Sequence, residues 1–238
     1  MIKKESSLFK NVQLFSSLSD QELQQITDTI RIRSFKKHET ILHEEDTNEY
    51  MYTILSGKVK AVQTNEDGKE TILAMHKTGD FFGEMSLIDG KTMPATVVAT
   101  EETITAIISR HEFLSFICAQ EKVRDKLLII LCTRLRESWN KIQMLNFNNA
   151  ATRMKMLFTM LTADYGEQDA EGITLNIKLT HQDIANMAGI TRETVTRVID
   201  KWQKDNEITI LKNRHIRLHP DFLKSDLRLS SQHRQGGS

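Results

Sequence analysis

The feature that most constrains this chain is a change of period near Ser109. Upstream of it, Gly57, Gly68, Gly79 and Gly90 recur every 11 residues, and the stretches between and before them read as strands: Met51 to Leu55, Val59 to Val62 and Thr71 to Met75. Asn65-Glu66-Asp67-Gly68 carries the residues of a hairpin turn, and Lys77-Thr78-Gly79-Asp80 those of a second. Thr96 to Ala99 and Thr103 to Ile108 continue the pattern. Short strands at this spacing predict a sandwich or barrel. A helix is expected before them, because Ser19 and Glu22 form a capping box and Leu23, Ile26 and Ile30 share a face.

Downstream, Ser109-x-x-Glu112 is another capping box, followed by a helical stretch to about Asn148 that contains neither glycine nor proline. Within it Leu128, Leu131, Leu135, Ser138, Ile142 and Leu145 step by three and four residues, a heptad seam with one polar position. The seam is narrow and flanked by Arg134, Arg136, Glu137 and Lys141, which favours self-association over a helix packed on its own domain. Beyond Asn148-Asn149, Arg153 to Leu161 reads as a helix and Asp164 to Gly172 as a polar loop. The expected division is α+β: an antiparallel barrel at 1–118, a dimerisation helix at 119–148, a winged helix-turn-helix at 149–229, and a low-complexity tail at 230–238.

The sharpest local signal runs from Thr180 to Trp202. Thr180 with Asp183 starts a short helix, Gly189 stops it, and Thr191 caps a second helix of similar expected length. Ile184, Ala185, Ala188, Ile190, Val195 and Val198 are apolar or small where two crossing helices must touch. That leaves Arg192, Glu193, Thr196 and Arg197 on the opposite side. Arginine can chelate O6 and N7 of guanine, and glutamate can accept from N4 of cytosine. Ile208 to Leu211, a turn at Lys212-Asn213-Arg214, and Ile216 to Leu218 then form a hairpin whose basic tip, Arg214 included, suits phosphate.

Composition narrows the rest. Lys plus Arg and Asp plus Glu are equal at 32, so basic character must be local. The longest apolar run, Leu127 to Cys132, is far short of the roughly 20 residues that cross a bilayer. The first residues, Met1 to Ser7, lack the apolar region of a secretory signal, so a cytoplasmic location with no membrane partner is expected. Cys118 and Cys132 are the two cysteines, which disfavours a disulfide framework or a thiolate metal cluster. No nucleophile–base or metal constellation of an enzyme stands out. His215 and His219 are four apart, but in a strand and not on a helix face, so no metal site is expected.

Together these motifs resemble the Crp–Fnr superfamily of bacterial transcription regulators from about Leu14 to Leu223. Phe82-Gly83-Glu84-Met85-Ser86-Leu87 looks like the family's phosphate-binding cassette. Leu179 to Ala185 and Gly189 to Arg197 look like its DNA-reading element. The resemblance implies that Arg192, Glu193 and Arg197 read bases, that Thr180 and Gln182 lie near the DNA backbone, and that Thr191, Thr196 and Arg214 belong to the same surface. It also implies a homodimer through Leu128, Leu131, Leu135, Ile142 and Leu145. The expected partners are double-stranded DNA at an inverted repeat close to TGTGA-N6-TCACA, RNA polymerase, and a small-molecule effector. In this family the effector pocket would draw on Gly83, Glu84, Met85 and Ser86, with Ser138 and Trp139 on the long helix.

One departure bears on the effector. Members that bind cyclic AMP follow the cassette with an Arg-Ser pair, and those two positions here are Pro94 and Ala95. Neither side chain carries a charge or hydroxyl, and the nearby Lys91 is a point charge where a guanidinium would bind bidentately. Trp139 adds bulk where the purine would sit. Cyclic AMP is therefore disfavoured and the effector stays unidentified. Alternatives within the family are a cyclic nucleotide bound by other means and haem-based gas sensing, for which His38, His43, His76 and His111 are the available ligands. Glu84 either contacts the effector or is satisfied by backbone amides of the cassette.

Overall fold

The structure, a computed structural model, describes residues 9–27, 30–117, 119–220 and 222. Cys118, the tail at 230–238 and the side chain of Ile26 lie outside the described residues. Two compact units divide between Arg136 and Glu137.

The first unit opens with a 3₁₀ turn at Gln13–Phe15 and α1, Asp20–Thr27, whose Ser19–Glu22 capping box forms as expected. Eight strands follow: β1 Arg31–Phe35, β2 Thr40–Leu42, β3 Tyr50–Ser56, β4 Lys58–Thr64, β5 Glu70–Lys77, β6 Phe81–Phe82, β7 Thr96–Ala99 and β8 Thr103–Ser109, with α2, Glu84–Asp89, between β6 and β7. They make two antiparallel four-stranded sheets, in the orders β1-β8-β3-β6 and β2-β7-β4-β5. The β4–β5 hairpin closes at Asn65–Gly68, where Gly68 takes φ 75°.

Strand alternation divides the interior in two. Tyr52, Ile54 and Phe82 face one cluster with Phe35, Val59, Val97 and Ala99, between the sheets. Met51, Leu55, Phe81, Ala106 and Ile108 face another, with Phe9, Leu14, Phe15, Val123, Leu127 and Ile130 from outside the sheets. The sheet holding β3 and β8 is thus buried on both faces. That is why β3 is buried without a break from Met51 to Leu55, Thr53 included, where a half-exposed strand would alternate.

The helical stretch after Ser109 is not continuous. The capping box starts α3, Arg110–Glu112, which passes into a π-turn at Phe113–Ile117, and the long helix α4 is Glu121–Leu145. Phe113 and Val123 pack in one core cluster. On a straight helix, ten residues would separate them by about 15 Å and rotate them by about 80°. Packing breaks the helix where no glycine or proline marks a stop.

In the second unit α5, Ala150–Tyr165, is capped by Asn149, whose Oδ1 accepts from the N–H groups of Ala151 and Thr152. Asp164 to Gly172 is not a loop. β9 Gly166–Asp169 pairs with β10 Gly172–Leu175. Every residue of β9 is exposed, so hydrophobic pattern gave no signal. Backbone bonds hold the hairpin, together with Arg217, which ion-pairs with Asp169 at 3.0 Å and with Glu171. Then come α6 His181–Ala188, α7 Arg192–Lys204, β11 Ile208–Ile210 and β12 Ile216–Leu218, in a sheet ordered β11-β12-β10-β9. α7 has 13 residues against 8 in α6, so the two are not of similar length. Phe158, Trp202 and Phe222 form the aromatic centre, with ring centroids 5.1–6.2 Å apart.

Candidate nucleic-acid interface and effector cassette

Local chemistry sets the α6–α7 geometry. Thr180 Oγ1 accepts from the Asp183 N–H, and the Asp183 carboxylate accepts from the Thr180 N–H at 2.9 Å, so both first-turn donors are satisfied. Gly189 ends α6 at φ 64°, and the Ala185 carbonyl accepts from the N–H groups of Gly189 and Ile190. A Cβ at Gly189 would lie 3.1 Å from Leu145 Cδ2, in a conformation that side chains rarely adopt. Thr191 caps α7 by accepting from the Thr194 N–H. Ile184, Ala185, Ala188 and Val195 are buried at the crossing, while Ile190 and Val198 are half-buried.

The opposite face is a groove of about 680 Å³ lined by Arg192, Glu193, Thr196 and Arg197 and, further along, by Asp200, Lys201 and Lys204. Arg192, Glu193 and Arg197 are exposed; Thr196 is half-buried and bonded to His181. Gln182 is exposed and donates to Asn186, a buried amide that sequence reasoning missed. Arg214 stands exposed in the β11–β12 turn at φ 66°, with its N–H donating to the Leu211 carbonyl at 2.8 Å. His215 and His219 have separate partners, Asn213 and Thr209, and no metal-binding cluster exists among the described residues.

In the first unit the cassette is a tight piece of backbone. Gly83 precedes α2 at φ 86°, where a Cβ would meet the Tyr50 carbonyl oxygen at 2.8 Å. Asn48, buried and not anticipated, donates from Nδ2 to the carbonyls of Gly83 and Tyr50. Ser86 is buried with its hydroxyl on Met93 Sδ, and Met85 is 51% exposed. Glu84 has a side-chain partner that was not anticipated. It is buried and ion-paired to Arg134 of α4 at 2.7 Å. The same guanidinium donates to the Phe81 carbonyl at 2.6 Å and lies 4.6 Å over the Phe81 ring. Arg134 thus belongs to the cassette and not to a solvated flank of the seam. Its position among apolar neighbours carried no signal of this.

Pro94 is exposed, with its carbonyl accepting from Gln63, and Ala95 is buried. Burial and the charge of Arg134 hold His76 down to about 3, so it is neutral at physiological pH; its ring stacks near Phe82. His38 in the β1–β2 turn, His43 just after β2 and His111 in α3 are exposed. On α4, Leu128, Leu135 and Ile142 are 56%, 51% and 59% exposed, with Leu145 also open. Leu131 departs from this row and packs partly against the barrel-side core. Ser138 and Trp139 are exposed on the second unit's part of α4.

The family profile "Cyclic nucleotide-binding domain" matches residues 32–120, and "Crp-like helix-turn-helix domain" matches residues 152–224. The chain belongs to the Crp–Fnr superfamily. It is 30% identical to the cyclic AMP receptor protein of Thermus thermophilus over 84% of this chain and 90% of that one. To the global nitrogen regulator of Synechococcus elongatus it is 28% identical, over 78% and 84% of the two chains. The fold matches that of FixK2 from Bradyrhizobium japonicum with TM-score 0.69 at 23% identity, covering 80% of this chain and 92% of that one. This Crp–Fnr member is a DNA-binding transcription regulator of helix-turn-helix type with a cyclic-nucleotide-binding-type sensor domain.

Removing one partner of a buried ion pair leaves the other charge desolvated. Arg134→Ala is expected to destabilise the protein by about 2–3 kcal/mol, the partial exposure of Arg134 moderating the loss. The double variant Glu84→Gln/Arg134→Met should recover most of that. Urea unfolding of the three proteins checks it; equal stability of Arg134→Ala and wild type would refute the structural role.

Proposed function

We propose that this protein is a homodimeric, effector-responsive regulator that reads an inverted repeat close to TGTGA-N6-TCACA. The observation that carries this is the exposed trio Arg192, Glu193 and Arg197 on the first turns of α7, opposite the buried face of Ile184, Ala185 and Val195. Helix periodicity keeps the three within one half of the helix surface. Arg192 and Arg197 suit guanine, and Glu193 suits cytosine. The capped N-termini at Thr180 and Thr191, with Gln182 and the exposed Arg214, suit the phosphate backbone. RNA polymerase is the proposed protein partner. Among the described residues no helix is long and apolar enough to cross a membrane.

Dimerisation is supported by the apolar row on α4. Leu128, Leu135, Ile142 and Leu145 are open to solvent, whereas large side chains of the neighbouring core are covered. Such a row needs a partner, and recognition helices about 34 Å apart need a two-fold axis. Leu131 then sits at the edge of the seam, shared with the core. Sedimentation should give a dimer at micromolar concentration, and Leu135→Glu a monomer with much weaker operator binding. A wild-type monomer would refute the interface.

Cyclic AMP is not proposed as the effector, although the Thermus relative is named for it. Pro94 and Ala95 supply no clamp, and the guanidinium that reaches the cassette, Arg134, already serves Glu84 and the Phe81 carbonyl. A phosphate there would forgo charge-assisted bonds worth about 1.5–3 kcal/mol each. Calorimetry is expected to register no tight, saturable binding of cyclic AMP; binding that also raises operator affinity would overturn the proposal.

Selection from random duplexes tests the operator. Arg192→Ala should lose about 1–3 kcal/mol and relax one guanine, and Arg214→Ala should weaken all sequences alike. Recovery of sites without a guanine-bearing inverted repeat would sink the assignment.

A further inference from the structure

One side chain on the reading face of α7 is held by the other helix. His181, the first residue of α6, places Nδ1 2.8 Å from Thr196 Oγ1. Thr196 Oγ1 in turn donates to the Arg192 carbonyl, one turn back on α7, at 3.1 Å. A hydroxyl has one proton and two lone pairs. With the proton on the Arg192 carbonyl, the imidazole meets the oxygen as an Nδ1–H donor. Threonine in a helix divides between two rotamers, one of them bonding back to the preceding turn. The His181 bond adds a second anchor to that rotamer.

The consequence concerns what Thr196 has left for DNA. It lines the same groove as Arg192, Glu193 and Arg197, and lies one turn from the first two. Guanine N7 and O6 and thymine O4 are all acceptors, and a hydroxyl whose proton is spent cannot serve them. Its γ-methyl makes no hydrogen bond and matches the C5-methyl of thymine. We propose that Thr196 selects thymine through its methyl group, and that His181 is the positioning residue that turns the hydroxyl away from the base. This rests on the assignment of α7 to base reading made above, and it gives Thr196 a specific part in that surface.

The test uses the full-length protein and the duplex recovered by selection, with each thymine singly replaced by deoxyuridine, which removes only the methyl. Wild type should bind one uracil duplex per half-site about fourfold more weakly, the worth of one buried methyl group. Thr196→Ser keeps the hydroxyl and should bind thymine and uracil alike. Thr196→Val keeps a methyl and should still prefer thymine. His181→Ala should reduce the thymine preference and leave guanine discrimination by Arg192 unchanged; His181→Asn, which retains a donor, should restore it. Circular dichroism and melting curves establish that each variant is folded. Indifference of wild type to every uracil would overturn the inference, as would a thymine preference kept by Thr196→Ser and lost by Thr196→Val. An unchanged preference in His181→Ala would remove the positioning role. A guanine-bearing repeat that responds to Arg192→Ala yet ignores uracil refutes this inference alone, whereas no such repeat refutes the base-reading assignment itself.

Discussion

Burial of the β1-β8-β3-β6 sheet on both faces is the constraint on which the sensor unit depends. Met51 and Tyr52, and Phe81 and Phe82, point to opposite sides, so neither side can be left to water. The second sheet covers one face. The N-terminal segment and the first turns of α4, through Val123, Leu127 and Ile130, cover the other. That docking brings Arg134 against Phe81 and Glu84. A buried carboxylate at the head of α2 is tolerable because this guanidinium reaches it. The ion pair is a consequence of how the sheet is covered, and it ties the cassette to the helix that carries the exposed apolar row.

The DNA-binding unit follows a different logic. Its geometry rests on short-range hydrogen bonds whose donors and acceptors are all claimed: the Thr180–Asp183 box, the Thr191 cap, the Gly189 turn and the Thr196 bond to the Arg192 carbonyl. Satisfied caps stiffen the helix ends, and stiff ends let exposed side chains present a fixed pattern to a groove. Arg192, Glu193 and Arg197 stand exposed on a helix that Val195, Ile199 and Trp202 anchor on its other side. The β9–β10 hairpin, exposed along β9, extends the sheet that carries the wing, with Arg217 joining the two through Asp169 and Glu171.

Much of this was legible in the residues. The glycine spacing and strand alternation located β3, β4, β5, β7 and β8 but not β1, β2 or β6, and the capping pairs located the starts of α1, α3 and α6, because those signals act within a few residues. The helix-turn-helix was legible for the same reason: Thr180, Gly189 and Thr191 do their work through neighbours in sequence. Three further features were not. The break at Phe113–Ile117 has no local breaker and arises because Phe113 and Val123 share one core. β9 has no apolar residue to betray it. Leu131 fits the heptad by spacing but turns partly toward the core.

The sequence by itself determined the change from strands to helices near Ser109, the helix caps, the two-helix DNA-reading motif and the absence of an Arg-Ser clamp. Each is a matter of residue type at short spacing, where backbone sterics and local hydrogen bonds decide. Only the tertiary structure decided that Arg134, 50 residues from Glu84, is its partner, and that His181, 15 residues from Thr196, is hydrogen-bonded to its hydroxyl. Contacts across such separations depend on which faces pack together, and that is set by burying apolar surface throughout each unit, which no local pattern encodes.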